Sequence, residues 1–139
     1  MPSHLVCALD ELPPGSRVTT YVPGVGQIGV FNTGTSLVAL KNACPHQGAP
    51  LCAGRVTGTS QPVWDSSGRP GIGWTSEGKI IRCPWHGWEF ALETGIALSD
   101  PKQRVKTYRV RTVRRRRRGH GNDRRSEECI VVEVGIDRH

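Results

Sequence analysis

The stretches Cys44-Pro45-His46 and Cys83-Pro84-Trp85-His86-Gly87-Trp88 decide how this chain folds and what it can bind. Each stretch places one thiolate and one imidazole on a short segment bounded by proline or glycine, which favour tight loops. Together the two loops offer two sulfur and two nitrogen donors, a set suited to borderline transition metals. The predicted metal ligands are therefore Cys44, His46, Cys83 and His86.

Two kinds of metal centre fit this donor set: a structural zinc ion, and an iron–sulfur cluster with two histidine ligands. Zinc modules of this length usually carry Cys-x-x-Cys knuckles and a recognition helix, and the sequence contains neither signal. In the iron–sulfur alternative, four protein ligands and the sulfides saturate the iron, which leaves no position for a substrate. The chemistry expected there is electron transfer rather than catalysis.

The longer strings CPHQGAPLC and CPWHGWEF, which begin at Cys44 and Cys83, resemble the Rieske motif of Rieske ferredoxins and of the Rieske domains of oxygenases. The resemblance implies one [2Fe–2S] cluster per chain. Cys44 and Cys83 would bind one iron. His46 and His86 would bind the outer iron that receives the electron, and their neutral rings ease reduction relative to four thiolates.

The resemblance also implies the fold: all-β, with a Rieske-like antiparallel β-sandwich base and a small cluster-binding subdomain that carries the two ligand loops. We expect a single domain over residues 1–139, with ligand loops at 43–54 and 82–92. The 17 glycines, the 10 prolines and the weak helical periodicity agree with short strands and turns. Strands are predicted at 4–9, 17–22, 27–31, 36–40, 80–82, 88–92, 104–113 and 129–135.

Residues around the second motif bear on the reduction potential. High-potential relatives in the resembled family carry a disulfide between the loops and two hydroxyl donors after the second histidine. Here the second loop contains no cysteine that could form a disulfide with Cys52, and Trp88 and Phe90 cannot donate an O–H to a cluster sulfur. Because such donors stabilise the extra electron, we expect a midpoint in the lower part of the range of about −150 to +300 mV. Trp85 and Trp88 would shield the cluster from water.

Residues 57–79 make the spacing between the motifs longer than in simple family members. The segment is rich in Gly, Ser and Pro, and its apolar stretches Val63-Trp64 and Ile72-Gly73-Trp74 flank residues 65–71. This pattern predicts an exposed hairpin. The hairpin is either a surface insertion without a role or a flap beside the cluster that shapes a docking surface.

Positive charge is concentrated near the end of the chain. Between Pro101 and Arg125 there are 12 Lys or Arg and one acid, whereas the remaining residues include 7 basic and 11 acidic ones. Because five adjacent arginines repel one another, Arg114–Arg118 predict an enlarged, solvated turn over 114–127. Three roles stay open: a tolerated expansion, steering of an acidic redox partner, and nucleic-acid binding. No aromatic residues are interleaved in the run, which argues against sequence-specific readout of nucleic acid, and we rank this role last.

The sequence contains no transmembrane span and no export signal at its start. Five cysteines, of which two are predicted ligands, fit a reducing cytoplasm better than a disulfide framework. Cys7 and Cys129 lie in apolar runs and are predicted to be core thiols.

We therefore expect a cytoplasmic, non-catalytic electron carrier. By resemblance its partners are redox proteins: a flavin-containing reductase, and an oxygenase or similar acceptor. Two alternatives remain open. One is a small Rieske subunit of a reductase complex, as in nitrite reductases. The other is a zinc-stabilised interaction module that binds nucleic acid through the arginines.

Overall fold

A computed structural model describes residues 3–45, 48–85, 87–116 and 126–134, and it confirms the predicted all-β, Rieske-like antiparallel fold. Strands and short 3₁₀-helices follow one another along these ranges. They are β1 (Ser3–Ala8), η1 (Leu9–Glu11), β2 (Arg17–Val22), β3 (Gly26–Asn32), β4 (Leu37–Lys41), η2 (Leu51–Ala53), β5 (Arg55–Trp64), β6 (Pro70–Arg82), β7 (Glu89–Ala91), β8 (Thr107–Arg116) and β9 (Ser126–Glu133).

The chain divides into two compact units. The first unit combines Met1–Asn42 with Lys106–His139 and contains a six-stranded antiparallel sheet in the order β1-β9-β8-β4-β3-β2. Both edge strands of this sheet pack against the same core, and His4 Nε2 on β1 lies 3.3 Å from Thr20 Oγ1 on β2. The sheet therefore curves around its core. The core consists of Leu12, Val22, Ile28, Val30, Ala39, Tyr108, Ile130, Val132 and Val134.

The predicted hairpin before the first ligand loop is confirmed as β3 and β4. Asn32 Oδ1 accepts a hydrogen bond of 2.9 Å from the backbone N–H of Gly34, whose φ of 94° favours glycine. The Lys41 N–H donates to the carbonyl of Lys106, and the Asn42 N–H donates to that of Gln27. These bonds fix the end of the first unit at the point where the chain enters the first ligand loop.

The second unit, Ala43–Val105, contains both ligand loops and a three-stranded sheet in the order β5-β6-β7. The first loop precedes η2 and β5, and the second connects β6 to β7. Buried apolar side chains fill the interior of this unit, which stabilises the backbone that carries the ligands. They include Ala49, Leu51, Cys52, Ile80, Ile81, Phe90, Leu92, Ala97 and Val105.

The predicted exposed hairpin at 57–79 is confirmed, and it forms part of a longer ladder. The β5–β6 pairing begins at Arg55↔Arg82 and continues to Trp64↔Pro70. At the turn, Asp65 Oδ1 accepts hydrogen bonds from the hydroxyl of Ser67 at 2.7 Å and the N–H of Arg69 at 2.9 Å. The Ser67 hydroxyl is the main cause that lowers the pKa of the Asp65 carboxyl.

The predicted basic turn over 114–127 is wrong at both ends. Strand β8 continues to Arg116, and β9 already begins at Ser126. Arg114 pairs with Glu128 in the ladder, and Arg115 pairs with Glu127; the Arg114 and Glu128 side chains form an ion pair at 3.7 Å. These cross-strand glutamates offset the repulsion between neighbouring arginines, so the ladder extends into the charged run. Residues 117–125 lie outside the described part.

Cys7 and Cys129 pack in the first unit, as predicted. Cys129 is buried and Cys7 is half-buried against the core. Burial raises the pKa of both thiols. None of the five cysteines, all of which are described, is in a disulfide. Among the described residues, no helix has the length and apolar character needed to cross a membrane.

Candidate metal centre

The first ligand loop is a tight turn that begins at Cys44. The Cys44 N–H donates to the carbonyl of Ala49 at 2.8 Å, and the Gly48 N–H donates back to the carbonyl of Cys44 at 2.7 Å. Gly48 has a φ of 72°, in the left-handed region where a Cβ is unfavourable. The loop therefore depends on a glycine four residues after its cysteine.

The second ligand loop repeats this turn between β6 and β7. The Cys83 N–H donates to the carbonyl of Trp88 at 2.7 Å, and the Gly87 N–H donates to the carbonyl of Cys83 at 2.9 Å. Gly87 has a φ of 70°. The two turns thus begin and close with the same hydrogen bonds, and the strings CPHQGA and CPWHGW have Cys, Pro and Gly in matching places. Histidine occupies the third place in one turn and the fourth in the other.

The two cysteines are the predicted ligands that the structure describes. Cys44 and Cys83 are each 2% exposed and occupy equivalent first positions of their turns. His46 and His86 lie outside the described residues, so their part in the site stays a prediction. Two buried cysteines at matching places can each lose a proton on binding a metal and supply a thiolate to it. The described half of the donor set therefore fits an iron–sulfur centre.

Side chains near the second loop differ in exposure. Trp88 is half-buried and stacks on the fully buried Phe90, with ring centroids 6.5 Å apart. Trp85, however, is 57% exposed. The predicted shielding from water therefore fits Trp88, whereas the exposure of Trp85 argues against such a role for it.

An ion pair that was not predicted from the sequence brackets the second loop. Arg82 and Glu89 are partners in the β6–β7 ladder, and Arg82 Nη2 lies 3.6 Å from Glu89 Oε2. Opposite charges directly before Cys83 and after Trp88 were the available signal. The half-exposed pair contributes little stability by itself, but it lies across the base of the loop.

The comparisons with known proteins agree with this geometry. A family model for the Rieske [2Fe–2S] domain matches residues 3–109. Ferredoxin CarAc of Metapseudomonas resinovorans is 27% identical over 96 residues, which are 69% of this chain and 71% of that protein.

Two solved structures are similar in fold. A candidate small subunit of an NADH-dependent nitrite reductase from Mycobacterium tuberculosis has a TM-score of 0.61 and 24% identity, and the match covers 96% of each chain. A chain from the complex of reduced oxygenase and oxidised ferredoxin of carbazole 1,9a-dioxygenase has a TM-score of 0.60 and 21% identity. That match covers 94% of this chain and 91% of the other. The present chain belongs to the Rieske family, whose domain binds a [2Fe–2S] cluster.

Proposed function

We propose that this protein is a one-electron carrier that passes electrons from a flavin-containing reductase to an oxygenase or a similar acceptor. Its cluster would be held by Cys44, His46, Cys83 and His86. The observation that carries this proposal is the matched pair of turns, each of which begins with a buried cysteine that fits an iron ligand.

The cysteine and histidine ligands have different roles in the proposed site. Cys44 and Cys83 supply two thiolates from a buried position, where water does not compete for the metal. The imidazoles of His46 and His86 would bind as neutral ligands and would leave the oxidised centre without net charge. When bound, the cluster supplies a reversible one-electron couple. Since the protein ligands and sulfides saturate the iron, the site would exchange electrons rather than bind a substrate.

The choice of partners is supported by the names of similar proteins. The curated relative is a ferredoxin, and one fold neighbour is a complex of a ferredoxin with an oxygenase. Five cysteines that form no disulfide agree with a reducing compartment, and we place the carrier in the cytoplasm.

A reductive titration tests the proposal. Anaerobic protein is titrated with dithionite while the visible spectrum is recorded, and it is then reoxidised with ferricyanide. We expect one electron per chain in each direction and full recovery of the oxidised spectrum. An irreversible loss of the spectrum, or no reduction at all, would contradict a carrier role.

A small Rieske subunit of a reductase is the second candidate, and one observation favours it. Trp64 and Ile72, on the β5–β6 hairpin, are 67% and 84% exposed. Trp64 pairs with Pro70 and is therefore the diagonal neighbour of Ile72 in the ladder, and contiguous exposed apolar patches of this kind are typical of interaction surfaces. Size-exclusion chromatography of the protein from its native source separates the candidates: a subunit elutes with a large partner, and a carrier elutes by itself.

A further inference from the structure

We propose that Gly54 is a positioning residue that sets the spacing between the two ligand loops. It allows η2, which follows the first loop, to rest directly on the backbone that leads into the second. The inference rests on the proposed ligand set, and it adds a residue that does not touch the metal.

The approach at Gly54 leaves no room for a side chain. Gly54 ends η2, and its N–H donates to the carbonyl of Leu51 at 2.8 Å. A methyl group on Gly54 would overlap the carbonyl oxygen of Arg82 and lie 2.9 Å from that of Leu51. Both obstacles are backbone atoms, which cannot rotate away as the end of a side chain can. Any other residue at position 54 would push η2 away from β6.

Backbone conformation does not explain this glycine. Gly54 has φ −71° and ψ 168°, an extended conformation that any residue adopts. Gly48 and Gly87, by contrast, have positive φ values in their turns and open space, or only a distant contact, at the Cβ position. The close approach of Arg82 is therefore the reason for a glycine at position 54. Because the backbone conformation suits any residue, Gly54→Ala would change only the distance between η2 and β6.

The residue that Gly54 contacts is joined to both ends of the second loop. Arg82 directly precedes Cys83, and its side chain forms the ion pair with Glu89 on the far side of the loop. Its Cδ also lies 3.9 Å from the Cβ position of Gly87. A shift of the Arg82 backbone would thus be transmitted to Cys83 and to the turn that follows it.

The consequence concerns how tightly the metal is held. Cys44 and Cys83 come from different loops, so their separation depends on how those loops are held relative to each other. Residues that orient ligands without touching the metal typically change metal affinity by about 10- to 100-fold when they are replaced. Gly54 would act in this way through Arg82.

Three glycine-to-alanine variants of the second unit test the proposal. Gly54→Ala is the test. Gly71→Ala is the neutral control, since a methyl group there meets nothing within 4 Å. Gly73→Ala is the steric control, because its methyl group would lie 2.7 Å from Val63 Cγ1, in the part of the hairpin remote along the ladder from Arg82.

The measurements are iron release to a chelator, the electron paramagnetic resonance (EPR) g values of the reduced protein, the midpoint potential and the thermal unfolding midpoint. For Gly54→Ala we expect roughly 10-fold faster iron loss to the chelator, with altered g values and midpoint potential. Both controls should keep the wild-type g values and potential, even if Gly73→Ala unfolds at a lower temperature. Wild-type g values, potential and iron release in Gly54→Ala would overturn the proposal.

If Gly54→Ala does not fold, hydrogen exchange on the wild type replaces it. Removal of the cluster should increase exchange in 50–55 and 82–88 together and leave 65–72 unchanged. An increase confined to one of the two segments would overturn the proposal. The iron and sulfide content of the wild type reports separately on the proposed function. If the wild type holds another metal, the same comparison is made with that metal.

Discussion

The described residues of the two ligand loops make the same backbone hydrogen bonds, but different elements adjoin each loop. In each loop the first N–H donates to the sixth carbonyl, and the fifth residue is a glycine whose N–H donates to the first carbonyl. The second loop is also closed by the ladder pair Arg82↔Glu89, whereas the first continues directly into η2. The turn is thus set by cysteine and glycine. The position of the histidine and the neighbouring elements distinguish one loop from the other.

The largest effect is expected from replacing the cysteine of either loop. Cys44→Ser and Cys83→Ser each remove one buried thiolate, so both variants should lose nearly all iron and sulfide. Cys7→Ser, in the other unit, is the matched control and should retain the cluster. Iron and sulfide analysis of the purified variants checks this. Full iron content in either ligand variant would break the proposed equivalence of the loops.

A second test replaces the histidine of each loop with cysteine, the other ligand type in the proposed site. His46→Cys and His86→Cys each add one negative charge to the cluster, which should lower the midpoint potential toward the about −400 mV of plant-type ferredoxins. Both variants should shift in the same direction, because the two histidines are proposed to bind the same iron. Protein-film voltammetry measures the shift. An unchanged midpoint in one variant would exclude that histidine as a ligand.

The glycines of the two turns should be equally sensitive to alanine. Gly48→Ala and Gly87→Ala force a Cβ into the left-handed region, at a cost of about 1–2 kcal/mol in the free energy of unfolding. Denaturant unfolding of the two variants measures this cost, with Gly71→Ala as the unstrained control. If the free energy of unfolding fell in only one of the two variants, the two turns would not be equivalent.

The smallest effect is expected from the tryptophans of the second loop. Trp88→Ser replaces a half-buried ring with a hydroxyl, which can donate to a cluster sulfur and admit water, and the midpoint potential should rise. Trp85→Ser changes a side chain that is already 57% exposed and should leave the midpoint nearly unchanged. Protein-film voltammetry of both variants measures the two midpoint potentials. No rise in Trp88→Ser would refute the shielding and hydrogen-bond arguments together.

Local signals were sufficient for part of the fold and of the site. Strand β2 has the predicted bounds, because alternating side chains between clear turns define it. The turn around Gly34 and the positions of Cys44 and Cys83 follow from short motifs in the same way. Each of these features depends on residues that are close in sequence.

Features that depend on distant pairing were not predictable from the sequence. The hairpin within 57–79 was predicted, but the length of its ladder, which continues to Arg55↔Arg82, was not, because it depends on the pairing of all of β5 with β6. The extension of β8 through Arg114 likewise depends on Glu127 and Glu128 of β9. The contact of Gly54 with Arg82 joins residues far apart along the chain, and no turn signal marks it.

One measurement tests most directly whether the paired loops hold a Rieske cluster. Iron, zinc and labile sulfide are quantified in the purified protein, and an EPR spectrum is recorded after reduction with dithionite. A Rieske cluster in these loops predicts two irons and two sulfides per chain, with a rhombic signal whose average g value is below that of the free electron. One zinc per chain, without sulfide or a signal, would contradict it.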